Sequence, residues 1–197
     1  MALNVTSTSS TALAVSLRKA KLQLKVSTGS TAENGEIKDK IRAATQWCER
    51  HIGGHRRLTP TTYRLTRAEF PGNSGAIVFP LPPLATPVGT ITYRDGNNAA
   101  QTLASTTYDT IASDDQPGWI QPKQSETWPS TYWRPDAVQI AFTCGYGSTS
   151  TTALPAAATE AILVMTESAY DPTRLPQAEA EEIAGSYLDT VEYGNYA

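Results

Sequence analysis

The side chains with the strongest potential for chemistry are Cys48, His51 and His55, with Cys144 as a fourth candidate ligand. Cysteine and histidine are the ligands that zinc prefers, and Cys48 and His51 would share one face of a helix. A Gly-Gly pair at 53–54 ends that helix before His55, however, and Cys48 falls within an apolar stripe. We therefore expect no metal site and no other cofactor.

Catalytic sets are missing as well. Both histidines lie beside one predicted helix end, and the chain has no Gly-x-Ser-x-Gly motif for an activated nucleophile. Asp114 and Asp115 lie in a polar loop, and the acidic cluster at 179–182 lies on the exposed side of a predicted helix. Neither has the apolar surroundings that raise the pKa of a carboxyl group. We expect no catalytic residues and no enzymatic activity.

The elements that would position any site are helices at both ends of the chain. The pattern predicts helices over 16–26, 32–53 and 155–171, with Ser16 as an N-cap. A further helix begins at Pro176. Its predicted apolar stripe contains Ala180, Ile183, Tyr187 and Val191, and Gly185 in its interior hints at a close contact.

The middle of the chain changes to a β pattern. Strands are predicted at 61–69, 77–79, 88–94, 101–103, 108–111, 119–121 and 137–144. The sequence therefore predicts an α+β fold, in which a helical core from both termini carries an antiparallel β insertion over 60–147. Residues 1–15 are predicted to be a mobile segment, and residues 172–197 a C-terminal helix and tail.

Charge is divided unevenly along the chain. Up to Phe70 there are 12 Lys and Arg against 5 Asp and Glu, and from Pro71 onward there are 4 against 14. This division favours contacts between unlike surfaces of neighbouring molecules. Five basic residues are candidates to face a neighbour or nucleic-acid phosphates: Lys19, Lys21, Lys25, Arg56 and Arg57.

Two cysteines in 197 residues do not make a disulfide framework, and both lie in apolar patterns. The apolar run at 161–164 is far shorter than a membrane span, and no charged segment precedes an apolar stretch at the N-terminus. We expect folding in a reducing cytoplasm and no membrane partner.

The order of motifs resembles the head–tail connector (adaptor, or head-completion) proteins of long-tailed bacteriophages and gene transfer agents. The first helix resembles the family's L-x-x-A-K-x-x-L motif, and the second resembles I-x-x-A-x-x-x-x-E-x-x-x-G, although Thr-Gly-Arg does not follow it. The later motifs are Phe70-Pro71, Leu81-Pro82-Pro83-Leu84, residues 88–93, Asp95-Gly96, Trp128-Pro129, residues 138–147 and Pro155 before a helix.

The resemblance implies a structural subunit of a ring, usually twelve-fold, in the neck of a virion or phage-like particle assembled in the bacterial cytoplasm. The ring would lie between the portal protein and a tail-side stopper or terminator protein, and DNA would pass through it without sequence-specific binding. By analogy, the C-terminal segment would dock on the portal through Tyr187, Leu188, Val191, Tyr193 and Tyr196. Loops 95–98 and 114–118 would face the tail-side protein or the adjacent subunit.

Two alternatives stay open. A stopper or tail-terminator subunit would belong to the same particle, but we expect such proteins to be mostly β. A DNA-binding module of another kind would use the five basic residues in a salt-sensitive contact.

Overall fold

The chain folds into two compact units. The computed structural model describes residues 2–8, 12–53, 56–112, 116–147 and 153–190. A β unit is formed by residues 1–10 and 60–151, and a helical unit by residues 11–59 and 152–197. The predicted α+β class, with helices from both ends and antiparallel strands between them, is confirmed.

The helical unit has four described helices: α1 (Leu17–Leu24), α2 (Asn34–His51), α3 (Ala156–Tyr170) and α4 (Gln177–Asp189). The backbone N–H of Lys19 donates to Oγ of Ser16 at 3.2 Å, which confirms the predicted N-cap of α1. Helix α1 ends where Lys25 takes a left-handed conformation, with φ of 58°.

The buried face of α2 follows its predicted spacing. Ile37, Ile41, Ala44 and Cys48 are all buried, because positions three and four apart share one face of a helix. The stripe of α4 differs from its prediction. Ala180, Ala184 and Leu188 are fully buried, whereas Tyr187 is 39% exposed. The buried face therefore contains Ala184 and Leu188, each one position after the predicted Ile183 and Tyr187.

The β unit contains two antiparallel sheets. Their strands are β1 (Ala2–Thr8), β2 (Thr61–Arg67), β3 (Ile77–Val78), β4 (Ile91–Arg94), β5 (Ala100–Thr102), β6 (Tyr108–Ile111), β7 (Trp119–Pro122) and β8 (Val138–Cys144). The larger sheet has the order β1-β2-β8-β4-β5, and the smaller has the order β3-β7-β6. Each of the seven strands predicted in the middle of the chain is present.

Strand β1 differs from the prediction, because residues 2–8 pair antiparallel with β2 where a mobile segment was expected. Strand β2 has an apolar face turned to the core and also pairs with β8, so it offers β1 a ready edge. A Ser/Thr-rich composition indicated mobility because it carries little apolar surface to bury, but a backbone ladder does not require such surface.

Both sheets contribute to one hydrophobic core in the β unit. Strand β8 alternates buried and half-buried residues along its length, as expected for a strand with one face turned inward. Its Phe142 lies 4.7 Å from Phe79 and 5.7 Å from Tyr63, measured between ring centroids. These rings join the core faces of β2 and β8 to the segment that follows β3.

Candidate interaction surfaces

Basic and acidic side chains of the helical unit meet each other. Nζ of Lys19 on α1 lies 3.0 Å from a carboxylate oxygen of Glu160 on α3. Glu167, also on α3, accepts a hydrogen bond from Nε2 of Gln23 at 2.6 Å and pairs with Nε of Arg174 at 2.9 Å. The basic front and acidic back of the sequence are therefore partly matched within a single subunit.

The whole helical unit reflects this matching. Its residues include 11 Lys and Arg and 12 Asp and Glu, because the basic segment before residue 60 and the acidic segment after residue 151 fold together. The strong division of charge along the chain thus becomes a nearly neutral unit. Long-range attraction between a basic half and an acidic half is correspondingly weaker than the sequence indicates.

The five predicted basic residues do not form one accessible patch. Lys21 and Arg56 are each only 3% exposed, and Nζ of Lys21 donates to the carbonyl oxygen of Ser30. Lys19 and Lys25 are exposed, and Lys19 is paired with Glu160. The structure corrects the prediction for Lys21 and Arg56, because buried cations cannot contact phosphates or a neighbouring surface.

Arg57 has a partner that the sequence did not suggest. Its Nη1 donates to Oε2 of Glu49 at 2.9 Å, and Oε1 of Glu49 accepts from the backbone N–H of Leu58 at 2.9 Å. Glu49 is only 8% exposed, so this carboxylate ties the chain after α2 back onto the helix. The available signal was an acid directly after Cys48, the last residue of the predicted α2 stripe.

The predicted portal-docking residues divide in three ways. Tyr187 is exposed on α4, as a docking residue must be. Leu188 is fully buried and belongs to the core of the helical unit, which makes it wrong as an exposed anchor. Val191, Tyr193 and Tyr196 lie outside the described residues.

The C-terminal part of α4 packs closely against the end of α2. A Cβ atom added at Gly185 would lie 3.3 Å from Cε1 of His51, so the glycine permits the approach that its position in the helix suggested. The imidazole stacks on Trp47 at 5.0 Å, and its Nε2 lies 3.8 Å from Oδ1 of Asp189. This histidine is engaged in packing at the helix ends.

The thiols lack the properties of reactive or ligating groups. Cys48 and Cys144 are fully buried and belong to different units. Burial raises the pKa of the Cys48 thiol to about 12, so it stays protonated at neutral pH. Among the residues that the structure describes, no group of three or more His, Cys, Asp or Glu side chains could hold a metal ion. His55 lies outside them.

A surface aromatic that sequence reasoning missed lies in the β unit. Trp133 is 92% exposed, and the adjacent Tyr132 is 45% exposed. The backbone N–H of Tyr132 donates to the carbonyl of Arg94 at 2.9 Å, and Nη2 of Arg134 pairs with Oδ2 of Asp136 at 2.9 Å. The Arg134 guanidinium holds the pKa of the Asp136 carboxyl below its usual range.

These bonds hold the segment around Trp133 in a defined turn with the indole outside it. Such a side chain is a typical centre of a protein interface, because it can bury a large area at a low cost in entropy. The available signal was the pair of aromatics at 132–133 within a Pro-rich loop.

A groove of about 440 Å³ is lined by residues 69–74 and 127–131. The second of these segments directly precedes Tyr132 and Trp133 in the sequence. Phe70 and Trp128 stack at 5.0 Å with an interplanar angle of 5°, and Nε1 of Trp128 donates to the carbonyl of Gly75 at 2.8 Å. Because the indole N–H is bonded and its ring is packed, the groove has a fixed wall. It could receive a side chain from another protein, and it holds no set of groups for catalysis.

The loop at 95–98, predicted to face the tail-side protein or the adjacent subunit, is a hairpin turn. Oδ1 of Asp95 accepts from the backbone N–H groups of Asn97 and Ala99, both at 3.0 Å, and its Oδ2 accepts from Gln101 at 2.9 Å. These hydrogen bonds lower the pKa of Asp95. In the second predicted loop, Asp114 and Asp115 lie outside the described residues.

The chain thus has an α+β fold with an exposed aromatic, a groove and an exposed helix face on its surface. The neck of an empty gene transfer agent particle, computed with C6 symmetry, contains a chain of the same fold, with a TM-score of 0.63 and 20% identity over 95% of both chains. The virion of a native gene transfer agent particle contains another, with a TM-score of 0.62 and 20% identity over 95% of both chains.

A third chain is found in the neck of a native gene transfer agent particle computed with C12 symmetry. It has a TM-score of 0.61 and 19% identity over 95% of this chain and 94% of that one. The resemblance to head–tail connector proteins is thereby confirmed at the level of the fold. No protein-family model and no curated protein matches the chain.

None of these three comparisons indicates an enzyme family. Of the helices that the structure describes, none is sufficiently long and apolar for a membrane crossing.

Proposed function

We propose that this protein is a structural subunit of the neck of a phage or gene-transfer-agent-like particle. The observation that carries the proposal is a fold shared with chains of two such necks, computed with C6 and C12 symmetry, over 95% of this chain and 94–95% of those chains. Within the neck, the subunit is the head–tail adaptor, and it forms a ring through which DNA passes between the portal and the tail-side protein.

The balance of helix and strand supports the adaptor over a stopper or tail-terminator subunit. Four helices form a unit of their own, with an ion-paired, buried carboxylate in Glu167 and a buried α2 face that contains Ile37, Ile41, Ala44 and Cys48. A mostly β protein would not need such a unit. The DNA-binding alternative loses support, because two of its five basic residues are buried.

The proposed DNA conduit agrees with the charge of the chain. The chain has a net charge of −3, and its helical unit has nearly equal numbers of basic and acidic residues, so neither has a basic excess. DNA is attracted to proteins mainly through its phosphates, so a lining without a basic excess lets it slide.

Electron microscopy of the purified protein mixed with its portal protein tests this function. We expect a ring, seen end-on as six-fold or twelve-fold, stacked on the portal along a common axis. A ring that binds only the tail-side protein would instead favour the stopper. Failure to form any ring, alone or on the portal, would reject the proposed function.

Docking through α4 can be tested in the same assay. Tyr187→Ala removes an exposed aromatic side chain and should weaken portal binding while the subunit stays folded. Glu182→Ala, at an exposed position on the same helix, is the matched control and should bind as the natural protein does. Equal binding by the two variants would remove Tyr187 from the docking surface.

A further inference from the structure

The larger sheet of the β unit ends in two unlike edges. Its order is β1-β2-β8-β4-β5, and every neighbouring pair is antiparallel. Among the described strands, none pairs with the outer edge of β1 or of β5. Each of these edges therefore carries backbone N–H and C=O groups that can extend the sheet.

Strand β1 carries apolar side chains on the core face of the sheet, where nothing in the described chain covers them fully. Leu3 is paired with Leu65, and Val5 with Tyr63, and both of those partners are buried. Leu3 is nevertheless 36% exposed and Val5 55% exposed. Leu3 and Val5 thus form a short apolar stripe on the core face of the sheet, which the rest of the described chain leaves partly exposed.

The edge of β1 also lacks charged residues and proline, although its pairing with β2 shifts register once, between Val5 and Ser7. Proteins protect long edge strands with charged residues or proline, which disfavour pairing with another chain. The seven residues of β1, Ala-Leu-Asn-Val-Thr-Ser-Thr, include neither a charge nor a proline. An unprotected edge beside an uncovered apolar stripe is typical of a strand that is covered in an assembly.

The opposite edge is short and held in position. The carbonyl of Ala99 accepts from the backbone N–H of Asp95, and the N–H of Leu103 donates to the carbonyl of Ile91. The N–H and C=O groups of successive residues in a strand point to alternate sides of the strand. Those of Ala100 and Thr102 therefore point away from β4, toward the open edge of the sheet. The side chains of β5 are all exposed and uncharged, and the Asp95 turn fixes the hairpin.

The directions of the two edges are compatible with a ring. In a sheet of five antiparallel strands, the first and the last strand run in the same direction. A cyclic ring of identical subunits needs two different surfaces on each copy, because each contact joins one surface to the other. A small rotation about the ring axis keeps strand direction, so the two edges would meet as a parallel pair.

We infer that β1 of one subunit pairs in parallel with β5 of the next subunit, and that this neighbour covers Leu3 and Val5. The inference rests on the proposed ring and names one of its contacts. The partner that covers the β1 edge is a second copy of this chain. The two copies are related by the ring rotation, because a two-fold dimer would bring two β1 edges together and leave both β5 edges open.

A cross-linking experiment on the full chain tests this contact. Asn4 and Thr102 lie on the same face of the sheet, opposite the core, as the partners Arg64, Ala141, Gln139 and Thr92 establish. Within one subunit these residues are four strand spacings apart, about 19 Å. A short thiol-to-thiol cross-linker in the double variant N4C/T102C can therefore join only different subunits.

The expected result is a ladder of covalent multimers on a denaturing gel for N4C/T102C, and monomers for N4C alone and for T102C alone. The natural protein is a further control, because Cys48 and Cys144 are fully buried. Dimers from N4C alone would show a two-fold β1 contact and overturn the inference.

Rings visible by electron microscopy without cross-links in the double variant would overturn the β1–β5 contact and leave the proposed function intact. Absence of both rings and cross-links would reject the contact together with the proposed function. The two failures are therefore distinguished by imaging the same samples.

Discussion

The helical unit holds 11 basic and 12 acidic side chains, whereas the β unit holds 5 and 7. In the helical unit many charged groups have partners, such as Glu167 with Arg174 and Glu49 with Arg57. The β unit instead has an exposed Trp133 and a sheet with two open edges. The helical unit is therefore stabilised by ion pairs within the chain, whereas the β unit carries the edges that we propose as subunit contacts.

The largest effect is expected at the open edge of β1. Val5→Lys places a charge beside this edge and should abolish ring formation while circular dichroism shows a folded subunit, because an edge lysine disfavours strand pairing. Gln139→Lys is the control, since it places the same charge on the outer face of the central strand β8, and should keep rings. Size-exclusion chromatography with light scattering measures both, and rings from Val5→Lys would contradict the comparison.

The second-largest effect is expected at a core residue of the helical unit. Leu188→Ala removes a fully buried side chain and should lower the free energy of unfolding by about 2–5 kcal/mol. Its neighbour Tyr187 is exposed, and Tyr187→Ala should change stability by roughly 0.5 kcal/mol or less. Urea denaturation compares the pair. Similar losses for both would mean that α4 does not bury the face seen here.

The two ion pairs of α3 provide a smaller and matched comparison. The Glu167 side chain is 10% exposed and has two partners, whereas that of Glu160 is 44% exposed and pairs with Lys19. We expect Glu167→Gln to cost about 1–3 kcal/mol and Glu160→Gln less than about 1 kcal/mol, because solvent screens exposed pairs. Denaturation at low and high salt measures both, and equal costs would contradict the role of burial.

The smallest effect is expected at the β4–β5 turn. Hydrogen bonds from Gln101 and from backbone N–H groups hold the pKa of the Asp95 carboxyl in the folded protein below its usual range. A lowered pKa contributes stability that is fully present above the unfolded value and is lost as pH falls through the folded value. Asp95→Asn should therefore be slightly less stable than the natural protein at pH 7, and the difference should shrink in acid. Urea midpoints at pH 7 and pH 3 test this, and a constant difference would contradict it.

Local patterns predicted much of the fold. The Ser16 cap, the α2 stripe from Ile37 to Cys48 and the alternation in β8 each depend on residues close together in sequence, so periodicity was sufficient to predict them. The order of motifs also pointed to the family whose fold the comparisons confirm. Surfaces were harder to predict, because exposure depends on which distant segments pack over a residue.

The candidate contact residues illustrate this limit. Lys21 and Arg56 read as surface cations, yet both are buried, and Leu188 read as an anchor, yet it belongs to the core. Successive side chains of a helix point about 100° apart, so of two neighbours such as Tyr187 and Leu188 one can be exposed and the other buried. In α4 the packing buried Ala184 and Leu188, each one position after a residue of the predicted stripe.

The sequence by itself determined the two kinds of secondary structure and their order along the chain. Only the tertiary structure decided that the basic and acidic segments share one unit, because 92 residues of β pattern and loops separate Thr59 from Thr152. The same holds for β1. Its composition gave little apolar surface to bury, and its place in the sheet depends on the backbone edge that the distant strand β2 provides.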